Sequence, residues 1–129
     1  MSSLIKKEVR SEKAPQNQLF SQALVVGDMV YVSGNTGVDP ATGNFVEGTV
    51  VSRATQILKN ISNILEATGS HIDKTVKVNI FLTSMSDYGL MNEAYAKFFN
   101  KQPKPIRTCV AVKELPRGTD VEMEVTALL

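Results

Sequence analysis

The sequence predicts an α+β domain in which two helices pack on one face of a mixed β-sheet. Two periodicities carry this prediction, because apolar residues recur every second position in several segments and about every 3.6 positions in two others. The elements follow in the order ββαβαββ. Of the 129 residues, 43% are hydrophobic and 21% are charged, so we expect a single domain over residues 1–129.

The first element is a β-hairpin. Residues 22–26 and 29–33 are rich in β-branched side chains, and the dipeptide Gly27-Asp28 separates them as a two-residue turn. Residues 6–10 offer an extra edge strand before the hairpin. Residues 34–48 are predicted to form a surface loop, since Gly, Pro, Asp and Asn cluster in the middle of this segment.

The first helix follows this loop. Apolar residues between positions 54 and 68 fall on one helical face, with Thr49 or Ser52 as the N-cap and Gly69 just past the end. Strict alternation over residues 75–82 then predicts a β-strand.

A second helix and two strands complete the predicted order. Apolar positions within 90–98 form one helical stripe, and either Ser86 or Asp87 is the expected N-cap. Residues 107–112 and 120–126 have the composition of strands, with a Pro- and Gly-containing connection between them.

One face of the predicted sheet has no helix to cover it. We expect that face to carry Cys109 and Ala111, together with Glu122 and Glu124. Small and apolar residues on an uncovered face indicate contact with another copy of the chain.

Arg107 and Glu122 are the main candidates for chemistry. Strand alternation places Arg107 on the same face as Cys109, and a guanidinium can hold a carboxylate through two parallel hydrogen bonds. Glu122 and Glu124 share a face and could perform acid–base work. The commoner alternatives are an ion-paired arginine, a solvated acidic face and a buried, inert Cys109. Tyr88 is placed to line a cleft, whereas Gly34 belongs to a predicted turn.

Composition argues against several classes of function. One cysteine and one histidine provide no ligand cluster for a metal, and a net charge of +1 gives no basic surface for nucleic acid. No apolar run approaches the ~20 residues that cross a bilayer. A single cysteine suits a reducing compartment, so we expect a cytoplasmic protein, with mitochondria as the alternative.

Five motifs stand out in the predicted strands and the second helix: VYVSG at 30–34, VKVNIFL at 76–82, NEAYAKFF at 92–99, PIRTCVAV at 105–112 and VEMEV at 121–125. These motifs resemble the RidA/YjgF family, over nearly the whole chain from about residue 14, with the strongest likeness to its fungal members. That resemblance implies a chorismate-mutase-like fold and a homotrimer with ligand clefts between protomers. It also implies hydrolysis of 2-imino acids and their enamines, such as 2-iminobutanoate and 2-iminopropanoate, to 2-keto acids and ammonia, without cofactor or metal.

The resemblance also implies roles for particular residues. Arg107 would hold the substrate carboxylate, and Glu122 would position water or handle its proton. Cys109 and Tyr88 would line the substrate pocket, and Gly34 would supply backbone next to the ligand.

The chain departs from the family pattern at two positions. Phe20 replaces a tyrosine of the substrate-binding segment and lacks its hydroxyl, and Asn35 replaces a longer glutamine. The Phe20 change leaves open a non-catalytic regulatory module that binds small carboxylates. The names given to family members also suggest a ribonuclease or translation inhibitor.

Overall fold

The elements follow the predicted order, with additions in the N-terminal half. The computed structural model describes residues 5–129. Single 3-10 turns lie at Ile72–Lys74, Met85–Asp87 and Pro116–Gly118. The strands and helices are β1 (Lys7–Val9), β2 (Ala23–Val26), β3 (Met29–Thr36), β4 (Val38–Asp39), β5 (Asn44–Phe45), α1 (Val50–Thr68), β6 (Thr75–Leu82), α2 (Tyr88–Phe98), β7 (Ile106–Ala111) and β8 (Val121–Leu128).

Six strands form one mixed sheet in the order β1-β2-β3-β8-β6-β7. Only the β6–β7 pair is parallel among the described strands, and α2 connects these two strands. The remaining neighbours are antiparallel. β4 and β5 form a separate two-stranded hairpin. The predicted α+β class with a mixed sheet is confirmed, and most of the strand pairs are antiparallel.

Helix α1 supplies much of the core. Thr49 caps its N-terminus by accepting a hydrogen bond from the amide of Val51, and Gly69 ends it with a φ of 93°. Of the two N-caps that the sequence allowed, Thr49 is therefore the one used. The buried side chains of α1 recur on one face and pack against the sheet; the largest are Ile57, Leu58, Ile61, Ile64 and Leu65.

Three local predictions are refined by the structure. The optional edge strand exists as β1, and the segment predicted as a loop contains the β4–β5 hairpin. The predicted turn at Gly34 is wrong, since β3 continues through it to Thr36. Pairing with β8 explains the extension, although the register shifts between Val32 and Asn35.

The predicted face of Cys109 is also wrong. Cys109 pairs with Ile80 and Ala111 pairs with Leu82, and both partners on β6 are fully buried beneath the helices. Cys109 therefore lies on the helix-covered face. The glutamates do occupy the uncovered face, as Glu122 pairs with Phe81. Strand alternation relates residues within β7 or within β8, but only the register between strands relates the two strands to each other.

No helix formed by residues 5–129 is both long enough and apolar enough to pass through a bilayer.

Candidate functional site

The guanidinium of Arg107 is held by side chains of α2. Its Nη1 donates to Oδ1 of Asn92 at 2.7 Å, and its Nη2 donates to the hydroxyl of Tyr88 at 2.8 Å. The guanidinium carbon also lies 4.7 Å from the ring centroid of Tyr95. These contacts fix the direction of a long side chain that would otherwise sample many rotamers.

Arg107 has no acidic partner within the described part of the chain. No carboxylate of residues 5–129 lies within ion-pair distance of its guanidinium. Both of its hydrogen-bond partners are neutral, so the positive charge is not neutralised. An oriented guanidinium of this kind is suited to an external carboxylate.

Cys109 lies two residues after Arg107 on the same strand face. Burial raises the pKa of its thiol, and the positive charge of Arg107 opposes part of that rise. A thiol with a raised pKa holds little thiolate at neutral pH, so the structure favours a lining role over a nucleophilic one.

Glu122 borders a separate cavity, of about 530 Å³, at the far end of β3. Phe20, Ser33 and Gly34 also line this cavity. A Cβ atom at Gly34 would overlap Oε2 of Glu122, so glycine is required there for the carboxylate to lie against the backbone of β3. Phe20 is 51% exposed and lies at the cavity wall, where it can contact a ligand.

The environment of Glu122 makes its carboxyl group a weaker acid than an exposed glutamate. Burial raises the pKa of its carboxyl group, and the negative charge of Glu124 raises it further. Glu124 itself accepts a hydrogen bond from Asn79 at 3.1 Å. A carboxyl group whose pKa is shifted toward neutrality can both accept and return a proton.

The candidate residues therefore form two groups rather than one. Tyr88 and Cys109 accompany Arg107 on the helix-covered side of the sheet, whereas Phe20 and Gly34 accompany Glu122. Val78, which is fully buried, pairs with Arg107, while Glu122 points to the opposite face with Phe81. Within one protomer the two groups are separated by the sheet.

Sequence reasoning missed Asn92 and Arg117. Asn92 shares one face of α2 with Tyr88, four residues earlier, a spacing visible in the sequence. Its partner Arg107 could not be named, however, because the packing of α2 beside β7 is a tertiary contact. Arg117 lines the Glu122 cavity from the turn before β8.

Metal ligands are not clustered in the described part of the chain. No group of three or more His, Cys, Asp or Glu side chains among residues 5–129 is arranged to hold a metal ion. His71 caps a 3-10 turn by accepting from the amide of Asp73, and its side chain is 54% exposed.

An α+β fold that holds an oriented arginine with no acidic partner, and a glutamate at the wall of a cavity, is typical of a protein that binds small molecules. A sequence profile described as Endoribonuclease L-PSP, that of the RidA/YjgF family, matches residues 11–129. The chain belongs to this family.

Individual relatives agree with this assignment. Protein HMF1 of Saccharomyces cerevisiae is 44% identical over 108 residues, which cover 84% of this chain and 82% of that protein. The 2-iminobutanoate/2-iminopropanoate deaminase of Mus musculus is 41% identical over 129 residues, covering 99% of this chain and 95% of the mouse protein.

Solved structures share the fold. A Thermotoga maritima protein described as an endoribonuclease superposes with a TM-score of 0.93 at 40% identity, covering 97% of this chain and 98% of that one. Escherichia coli TdcF with bound serine gives a TM-score of 0.89 at 31% identity, covering 96% and 99% of the two chains.

Proposed function

We propose that the protein hydrolyses reactive 2-imino acids, such as 2-iminobutanoate and 2-iminopropanoate, to 2-keto acids and ammonia. The observation that carries this proposal is the guanidinium of Arg107, which Asn92 and Tyr88 orient while leaving its charge uncompensated. The mouse relative that matches 99% of the chain has this activity in its name, and TdcF holds serine, a small amino acid.

The proposed reaction needs orientation, water and one proton carrier. Arg107 binds the substrate carboxylate and so fixes the position of the C2=N bond. The Glu122 carboxylate takes a proton from a water molecule as the water oxygen bonds to C2. Glu122 then returns this proton to the nitrogen to give a carbinolamine. The proton of the new hydroxyl passes to the nitrogen as the C2–N bond breaks, so ammonia and the 2-keto acid leave.

We propose further that two copies of the chain complete each site. Arg107 of one copy would face the Glu122 cavity of its neighbour in a homotrimer, because one protomer holds the two groups on opposite sides of the sheet. The uncovered face supports this assembly: Tyr31, Ile106 and Val110 are 47%, 64% and 42% exposed there. These exposed apolar side chains lie on β3 and β7, the two strands that flank β8 and β6, and they suit contact with another copy of the chain.

The test uses imine generated in situ by a threonine dehydratase, with ammonia and 2-ketobutyrate as the readouts. The wild-type protein should accelerate ammonia release above the spontaneous rate. Arg107→Lys keeps the charge but loses the planar fork, so kcat/KM should fall roughly 10- to 100-fold. Glu122→Gln should lower kcat more than it changes KM.

The matched control is Lys59→Met, which alters an exposed position of α1. This variant should keep wild-type rates. Wild-type rates in both Arg107→Lys and Glu122→Gln would contradict the roles assigned here. Tight binding of 2-ketobutyrate without any acceleration would instead identify a non-catalytic carboxylate-binding module.

RNA cleavage is the second candidate, because the family description and the Thermotoga relative both name an endoribonuclease. The near-neutral charge of the chain offers little phosphate neutralisation. Ribonuclease activity that co-purifies with the wild-type protein and disappears in Arg107→Lys would support this candidate.

A further inference from the structure

The side chain of Arg117, which has no role in the proposed hydrolysis, lines the Glu122 cavity. Arg117 lies in the turn before β8, and its Nη1 donates to the carbonyl oxygen of Gly43 at 3.3 Å. Its guanidinium carbon lies 4.7 Å from the ring centroid of Phe45 in β5. The β4–β5 hairpin thus anchors the guanidinium at the cavity wall.

The donors of Arg117 are largely unused by the protein. A guanidinium has five N–H donors, and the carbonyl of Gly43 takes one of them. Glu12 and Glu122 also line the cavity, yet no carboxylate of residues 5–129 lies within ion-pair distance of Arg117. The arginine can therefore bind an anion that enters the cavity.

The cavity is also larger than a short imino acid needs. Its volume of about 530 Å³ falls in the ~300–1,000 Å³ range of pockets that enclose drug-sized ligands. Gln16, Asn17 and Asn35 line it alongside apolar residues such as Pro15 and Ile64, so its wall also offers hydrogen-bonding groups to a polar substituent.

From these observations we infer that the cavity admits 2-imino acids whose side chain ends in a second carboxylate, and that Arg117 binds that carboxylate. This inference rests on the proposed function and specifies its substrate class. Arg107 would hold the carboxylate next to C2, and Arg117 would hold the distal one. The chemistry is the same hydrolysis: water adds to C2, the C2–N bond breaks and ammonia leaves.

The experiment compares two imines, each generated in situ by a flavin-dependent amino-acid oxidase. Glutamate yields 2-iminoglutarate and alanine yields 2-iminopropanoate, and semicarbazide traps whatever imine the protein has not hydrolysed. We expect the wild-type protein to hydrolyse both. Arg117→Met should lower kcat/KM for 2-iminoglutarate roughly 10- to 100-fold, mainly by raising KM, because a charge-assisted hydrogen bond is lost.

Three controls separate substrate recognition from a structural effect. Arg117→Met should change kcat/KM for 2-iminopropanoate less than about threefold, since that substrate has no distal carboxylate. Arg117→Lys should lose less activity on 2-iminoglutarate than Arg117→Met, because it keeps the charge. Lys59→Met makes the same change in net charge on the exposed face of α1 and should affect neither substrate.

The outcomes distinguish this inference from the function on which it rests. Equal losses on both imines in Arg117→Met would overturn it, and so would hydrolysis of 2-iminopropanoate without acceleration on 2-iminoglutarate. In both cases imine hydrolysis by this chain would stand. Failure of the wild-type protein on both imines would refute the proposed function as well.

Discussion

Arg107 shows how a single residue becomes a binding group. A free arginine loses about 2 kcal/mol of rotamer entropy when a ligand immobilises it. Here Asn92 and Tyr88 already hold the guanidinium, so much of that cost is met during folding. Both partners are neutral, which leaves the charge available to a substrate carboxylate.

Glu122 makes the pH dependence of the proposed reaction testable. Burial and the charge of Glu124 raise the pKa of Glu122, and the group must be ionised to accept a proton from water. The acid limb of kcat/KM should therefore lie above the ordinary carboxyl value of about 4.3. Glu124→Gln removes the neighbouring negative charge, so the pKa of Glu122 should fall and the limb should move to lower pH.

The measurement is a pH–rate profile of imine hydrolysis for the wild-type protein and Glu124→Gln. Glutamine keeps an oxygen that can accept the hydrogen bond from Asn79, so the change is chiefly one of charge. Glu66→Gln, at an exposed position near the end of α1, is the matched control and should leave the profile unchanged. A limb that stays in place in Glu124→Gln would argue against Glu122 as the titrating base.

At the scale of elements, an ion pair joins α1 to the start of β8. Arg53 donates from Nε and Nη2 to the two carboxylate oxygens of Asp120, at 2.7 and 2.8 Å. Its Nη1 also donates to the carbonyl oxygens of Val46 and Gly48. One side chain thus ties the segment after β5 to the strand that carries Glu122.

We expect Asp120→Asn to destabilise the fold by about 1–2 kcal/mol at pH 7, since the pair is bidentate but only partly buried. The hydrogen bond from Arg53 lowers the pKa of Asp120. The stabilisation is therefore present above the unfolded-state value of about 3.9 and is lost as pH falls through the folded-state pKa.

Urea unfolding at fixed protein concentration, at pH 7 and at successively lower pH, measures this difference. The two proteins should converge in stability as the pH falls. The matched control is Asp28→Asn. Asp28 lies in an exposed turn and forms no ion pair within residues 5–129, so this change should leave the free energy of unfolding nearly unaltered at each pH. An unchanged free energy of unfolding in Asp120→Asn at pH 7 would mean that the pair contributes nothing net.

At the scale of the whole molecule, the sheet separates Arg107 from Glu122. Arg107 faces the helices and Glu122 faces the uncovered side. A protomer with this geometry cannot bring both groups to one small substrate. The proposed assembly removes the difficulty by pairing the Arg107 side of one copy with the Glu122 cavity of another.

Mixed assemblies test this proposal directly. Arg107→Ala and Glu122→Gln proteins should each be inactive alone. When they are co-expressed with different tags and purified as mixed trimers, some interfaces combine an intact Arg107 with an intact Glu122. Imine hydrolysis should then return to about a third of the wild-type rate, because one of the three interfaces in every mixed trimer pairs an intact Arg107 with an intact Glu122.

The matched control is a mixed trimer of wild-type chains and chains that carry both Arg107→Ala and Glu122→Gln. It has the same average number of intact residues, but intact pairs arise only between adjacent wild-type copies. Inactive mixtures of the two single variants, with assembly confirmed by light scattering, would show that both groups must belong to one chain.

Local periodicity was sufficient for the longer elements of this protein, although it missed the two-residue strands β4 and β5. Alternation over residues 75–82 and helical spacing over 54–68 predicted β6 and α1 almost to their ends, because burial of one face imposes a period on each segment. The side chains that share a face of one strand, such as Arg107 with Cys109, were equally accessible to that reasoning.

Relations between segments were decided only by the tertiary structure. Register assigned Cys109 to the helix-covered face and Glu122 to the other, and packing of α2 beside β7 brought Asn92 to Arg107. Pairing of Asn35 and Thr36 with β8 also extended β3 past Gly34. Alternation within one strand does not show which of its two faces matches a given face of the neighbouring strand. A shift of one residue in the pairing moves every side chain of the strand to the other side of the sheet, yet both sequences keep the same alternation.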